Sequence, residues 1–195
     1  MKNILKLVFV IMCFGCCYAY GASSPNQLKD DGVMMYSVNK INEAKAVFEQ
    51  IPEEKRDAQV WLLLSNIAQD MHDEESAEKY LKEALTKDPK YYKAYYNLGN
   101  IYFNKGNIED ALKNYKLAEK YNKKNGYIYT NIGCCYLAKK NLNLARINFN
   151  KAVSLNPRNP NNYYNLAYIY KTYGKNKKAQ ELLNIYNTLM QEMVN

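Results

Sequence analysis

Apolar and polar residues alternate along this chain with two rhythms, one at the scale of a helical turn and one at the scale of a helix pair. Trp61, Leu64 and Ala68, then Tyr95, Leu98 and Tyr102, then Tyr129, Ile132 and Tyr136, recur at spacings of three and four and mark one apolar helix face each. The longer rhythm is 34 residues: Trp61, Tyr95, Tyr129 and Tyr163 form one column, and Ala77, Ala111, Ala145 and Ala179 another. Ser65, Gly99, Gly133 and Ala167 form a column of small residues, Leu81, Tyr115, Phe149 and Leu183 one of large ones, and Ala84, Ala118 and Ala152 a further small one. The pattern predicts two helices per period. Gly99 and Gly133 let the second approach the first closely, Ala111 and Ala118 sit at the contacts, and Tyr115 is the knob between them. Lys105-Gly106-Asn107 predicts the turn within a pair, and Asp88-Pro89 and Asn156-Pro157 end pairs, since proline disfavours a helical predecessor. One such hairpin cannot bury both its faces, so stacking on neighbours is obligatory.

These residues resemble the tetratricopeptide repeat (TPR) family, whose consensus Tyr95-Tyr96-Asn97-Leu98-Gly99-Asn100-Ile101-Tyr102, with Ala111, Tyr115 and Ala118, follows almost place for place. The resemblance implies an all-α, right-handed superhelical solenoid of about five helix-turn-helix hairpins over 22–195. Repeats at 58–91, 92–125 and 126–159 match well. Segment 160–193 is terminal, with Tyr186 where the family has a small residue, and 25–57 is weak and one residue short.

Before the repeats, Lys2 and Lys6 precede an apolar run from Leu7 to Cys17, followed by Ala19, Gly21 and Ala22. That order predicts a secretory signal peptide over 1–21, since the run is shorter than a membrane-spanning helix needs. Gly15-Cys16 also partly resembles a lipoprotein acylation site, although Cys13 and Phe14 stand where a branched aliphatic and then a small residue are usual. Acylation at Cys16 would tether the domain to a membrane. The expected location is therefore outside the cytoplasm, periplasmic or extracellular, as a free chain or as an anchored lipoprotein.

Composition narrows the chemistry. Five Cys among 195 residues are too few for a disulfide scaffold, and after cleavage only the adjacent Cys134 and Cys135 remain, read as small semi-buried helix residues. The single histidine, His72, lies in an acidic turn with no Ser or Cys at motif spacing. With neither a zinc-knuckle spacing nor a glycine-rich phosphate loop, no enzyme activity, metal or cofactor is expected.

The family resemblance also implies where a ligand would sit. In that family the first helix of each pair lines a concave groove, here through Lys93, Tyr96, Asn97, Asn100, Phe103 and Asn104. The next repeat contributes Tyr127, Thr130, Asn131, Cys134, Leu137 and Ala138, and the last Asn161, Tyr164, Asn165, Tyr168, Lys171 and Thr172. Asn97, Asn131 and Asn165 form a ladder whose carboxamides can pair with the backbone of an extended peptide, and Tyr96, Tyr164 and Tyr168 add flat contact area. Some relatives grip a chaperone C-terminus with paired Lys and Asn. Here Val33, Leu63 and Asn97 interrupt that pattern.

Net charge is +8, divided as −5 over 22–91 and +11 over 92–195. Asp70, Asp73, Glu74, Glu75 and Glu78 cluster toward one end, and Lys123, Lys124, Lys139, Lys140, Lys175, Lys177 and Lys178 toward the other. Such polarity would steer an acidic partner to the C-terminal repeats, although turn lysines are also simply solvated.

The expected function is an exported, non-enzymatic scaffold that binds an extended peptide or helix of another protein in a Tyr/Asn-lined groove. One alternative is a membrane-tethered lipoprotein assisting assembly of an envelope complex. The other is a basic nucleic-acid binder, against which export and the packing positions of Tyr95, Tyr102, Tyr129 and Tyr136 both argue. Mass measurement of the mature protein should find a chain starting at Ala22. A detergent-partitioning species carrying acyl mass on Cys16 is the outcome that establishes tethering instead.

Overall fold

The computed structural model describes residues 23–194, so the signal peptide expected over 1–21 and the acylation site expected at Cys16 lie outside the described residues. The described residues are helical, without strands, and divide into two compact units, one up to Arg56 and one from Asp57 onward.

The first unit is one hairpin, α1 (Pro25–Ser37) and α2 (Ile41–Glu49), followed by a 3-10 turn, Glu53–Lys55. Ser24 caps α1, its Oγ accepting from the Gln27 amide at 3.2 Å, with Pro25 in the first turn where no amide is needed. The second helix stops after nine residues, just ahead of Pro52. The buried Arg56 takes over the carbonyls left there, donating from Nε to Ile51 at 2.8 Å and from Nη2 to Glu49 at 3.0 Å.

In the second unit, four helix pairs follow one another. They are α3 (Ala58–Asp70) with α4 (Glu74–Lys87), α5 (Tyr92–Asn104) with α6 (Ile108–Tyr121), α7 (Gly126–Ala138) with α8 (Leu142–Leu155), and α9 (Pro160–Thr172) with α10 (Asn176–Val194). Each second helix also packs on the next first helix, α4 on α5, α6 on α7 and α8 on α9. The tight turns repeat with the sequence: His72, Gly106, Lys140 and Gly174 all hold positive φ, between 57° and 76°. The residue after each turn closes one helix and opens the next. Asp73, Asn107 and Asn141 donate their amides back to the carbonyls of Ala68, Tyr102 and Tyr136, and their side chains accept from Ser76, Asp110 and Leu144. His72 is therefore an exposed turn residue.

Within each pair the small column meets the large one, sixteen positions later. A Cβ on Gly99 would lie 2.5 Å from the Tyr115 ring, and one on Gly133 would lie 2.7 Å from Phe149. In the first unit Gly32 faces Phe48 in the same way, at 2.5 Å. Where the small residue is Ser65 or Ala167, the residue sixteen on shrinks to Leu81 or Leu183. Volume is thus conserved across the contact, as close packing demands.

The tyrosine column has a second role. Tyr95, Tyr129 and Tyr163 donate their hydroxyls to the carbonyls of Pro89, Lys123 and Pro157, at 3.1, 3.2 and 3.0 Å, and so pin each first helix to the turn before it. At the opposite edge, side chains bridge successive pairs. Glu78 of α4 accepts from Lys82 at 2.8 Å, Tyr102 at 2.9 Å and Lys105 at 3.1 Å; Lys139 pairs with Glu109, and Tyr173 donates to Asn143 at 2.9 Å. Tyr186 on α10 packs its ring 5.4 Å from that of Tyr164, tilted by 51°.

Two measurements check this packing. Gly99→Ala should destabilise in denaturant by about 1–2 kcal/mol, overpacking against Tyr115 outweighing the gain of about 1 kcal/mol in helix propensity. Combining it with Tyr115→Leu should cost less than the two separate losses added together. The second concerns Glu78, whose hydrogen bond from Lys82, aided by those from Lys105 and Tyr102, draws its carboxyl down from 4.5 to about 2. A carboxyl lowered on folding contributes stability above its unfolded value that is lost as pH falls through the folded one. The thermal midpoint should therefore fall between pH 4.5 and 2, and Glu78→Gln should flatten that part of the profile.

Candidate functional site

First helices of successive pairs lie side by side in the second unit, and their shared surface carries the groove residues read from the sequence. That surface is not uniform. Lys93 and Lys171 are exposed, as are Tyr127, Tyr164 and Tyr168, whereas Tyr96, Asn97, Asn100, Asn131 and Asn165 are half-buried. One residue departs from expectation: Thr130 is buried, its hydroxyl donating to Asn162 Oδ1 at 2.8 Å. The reason is that Asn162 occupies the column of Val60, Ala94 and Ile128. A polar residue buried there needs a partner, and Thr130 on α7 supplies it.

The asparagine ladder also differs from the simple expectation of one open amide per repeat. Asn97 Nδ2 donates across to Asn66 Oδ1 at 3.0 Å, and Asn131 Nδ2 to Asn100 Oδ1 at 2.9 Å. Asn100 Oδ1 accepts a second bond, from the buried Tyr115 hydroxyl at 2.8 Å, and Tyr96 packs its ring 5.9 Å from Tyr115. These amides hold first helices together. Asn165 makes no such bond among the described residues.

Two hollows flank the change. The first, of about 340 Å³, is lined by uncharged polar groups around Phe103, among them Gln69, Asn104 and Asn131, with Cys134 at its edge. The second, of about 440 Å³, lies between Leu137 and Leu142 on one side and Tyr164, Asn165, Tyr168 and Thr172 on the other, with Lys140 at its rim. Leu142 was invisible as a site residue in the sequence, and Lys140 stood out only as one of a basic cluster, because they belong to a helix start and a turn, outside the first-helix face. The turn nevertheless folds toward the neighbouring pair.

Burial raises the thiol pKa of Cys134, and that of Cys135 is pushed up to about 12, so both stay protonated near neutrality and are poor nucleophiles or metal ligands. Among the described residues no group of three or more His, Cys, Asp or Glu side chains could hold a metal, and no helix is long and apolar enough to cross a membrane.

No curated protein sequence matches the chain significantly. Among solved structures, a crystal structure of MamA is similar, at 18% identity over 84% of this chain and 96% of that one, with a TM-score of 0.73. The Pseudomonas aeruginosa pilF protein is similar at 17% identity over 85% and 78%, with a TM-score of 0.76. MamA from Desulfovibrio magneticus gives 16% identity over 88% and 98%, and 0.75. At these identities the likeness is one of fold. Three tetratricopeptide repeat models match residues 68–130, 126–159 and 148–181. Those matches, the recurring helix pairs and the small-to-large contact that closes them make this chain a member of the tetratricopeptide repeat family.

Proposed function

We propose that this chain is a non-enzymatic scaffold that receives an acidic, extended segment of a partner protein on the first-helix face of its last two hairpins. The family's fold is that of a protein-interaction module, and the hollow of about 440 Å³ carries the finer reading. It combines aliphatic walls, a carboxamide and a cation, the mixture that holds a peptide side chain and its backbone together. Tyr164 and Tyr168, 53% and 54% exposed, offer rigid amphipathic area at low entropic cost.

Charge favours an acidic segment. Between Glu119 and Glu181 the sequence contains no carboxylate side chain, while Lys139, Lys140, Arg146, Lys151, Arg158, Lys171, Lys175, Lys177 and Lys178 all fall within the last two hairpins. The nucleic-acid reading is weakened because the hydroxyls of Tyr95, Tyr129 and Tyr163 are tied to backbone carbonyls, which removes three rings from any base-stacking surface. We place this scaffold outside the cytoplasm, on the strength of the basic, apolar and small-residue order of the first 21 residues. Tethering through Cys16 would give it a role in assembling an envelope complex.

The test is affinity capture from the native cell envelope using the mature chain and its Tyr164→Ala, Tyr168→Ala double variant. The variant should keep its helical circular dichroism and lose the captured partner, and capture by the wild type should weaken as salt rises. Equal recovery by both chains sinks the groove reading.

A further inference from the structure

The ladder of asparagines is interrupted at one place, and the interruption follows from the register of the repeats. Each closed rung joins residues 31 positions apart, Asn97 to Asn66 and Asn131 to Asn100. The same step back from Asn165 lands on Cys134, whose thiol is a weak acceptor, and no hydrogen bond joins the two among the described residues. Asn165 is thus a half-buried carboxamide left open for a ligand, beside a hollow with aliphatic and aromatic walls.

Lys140 completes the arrangement. It makes no ion pair among the described residues, and it holds φ +57° at a place where Gly106 and Gly174 serve the neighbouring hairpins. A side chain in that conformation costs about 1–2 kcal/mol relative to glycine. The cation therefore stands at the rim of the hollow despite a backbone cost that glycine would avoid.

We infer that Cys134 opens the ladder at one rung, leaving Asn165 to anchor the backbone of an extended peptide whose apolar side chain fills the adjoining hollow and whose acidic neighbour meets Lys140. This rests on the first-helix docking reading and assigns its selectivity. The carboxamide donates to a peptide carbonyl and accepts from a peptide N–H. Leu137, Leu142 and the two exposed tyrosines surround the apolar group, no carboxylate lines the hollow, and the nearby Glu109 is engaged by Lys139, which leaves Lys140 to the peptide.

The probe is fluorescein-labelled Gly-Ser-Glu-Leu-Glu-Phe-Glu-Ser-Gly, titrated by anisotropy against the full mature chain, with a counterpart carrying Lys in place of Glu. Cys134→Asn, which restores the missing acceptor, and Asn165→Ala should each weaken binding by about tenfold, or ~1.4 kcal/mol. Cys134→Asn should leave the thermal midpoint unchanged or raised, because it closes a third rung. Asn97→Ala should lower the midpoint without changing affinity, and Lys140→Gly should erase the preference for the acidic peptide. Wild-type-like affinity in both Cys134→Asn and Asn165→Ala overturns the inference, as does equal binding of the lysine peptide. If those two variants bind normally while Tyr164→Ala, Tyr168→Ala does not, the docking face stands and the open rung falls. If the wild type ignores the acidic peptide but still captures an envelope partner through the two tyrosines, only this inference is lost.

Discussion

A hairpin of this protein is closed by one contact, a small residue on the first helix receiving a large one on the second, and everything else is arranged around how near that lets the two helices come. Gly32 with Phe48, Gly99 with Tyr115 and Gly133 with Phe149 leave no space for even a methyl group. Ser65 and Ala167 are matched by Leu81 and Leu183, so the sum of the two volumes is kept while the residues vary. Burial of Ala77, Ala111 and Ala145, each fully inaccessible, follows from the same proximity. Because a pair so closed still has an apolar flank, the next pair must cover it, and the clusters around Tyr115 and Phe149 include residues of the following first helix.

Stacking then decides which polar groups are available for binding. First helices lie side by side, and the asparagines facing one another across that seam hydrogen-bond wherever both are present. The surface that looks like a row of identical recognition groups is thereby divided into cross-links and one open amide. The division depends on a single residue type, a thiol at position 134 in place of a carboxamide, and on nothing in the backbone. Charge reinforces the same end of the unit, where the sequence carries no carboxylate side chain between Glu119 and Glu181.

Most of the architecture was legible because it is periodic. Columns such as Trp61, Tyr95, Tyr129 and Tyr163 signal a repeated environment without any knowledge of contacts, and Lys105-Gly106-Asn107 marks its turn by chemistry alone. The candidate site was legible only in part. Sequence placed Tyr164, Asn165 and Tyr168 on the right face, but it treated three asparagines as equivalent, since their pairing partners lie 31 residues away in a neighbouring hairpin. It also assigned Thr130 to the groove, because the burial of its hydroxyl depends on an asparagine in another repeat. Lys140 read either as part of a steering charge or as solvated, and not as the rim of a hollow, for the same reason: a turn's position relative to the next helix is a tertiary fact.

The Thr130–Asn162 pair has a further consequence for how firmly the last hairpin is seated. Asn162 is fully enclosed, yet its Nδ2 has no hydrogen-bond partner among the described residues, and it stands in a column otherwise filled by valine, alanine and isoleucine. An orphaned donor at the seam between α7 and α9 costs that seam stability, and the unsatisfied amide gains solvent whenever the pair swings away. The terminal module, which carries the exposed tyrosines, is therefore seated across a seam with a built-in polar defect, so a guest bridging α7 and α9 would act as a latch on its own binding surface.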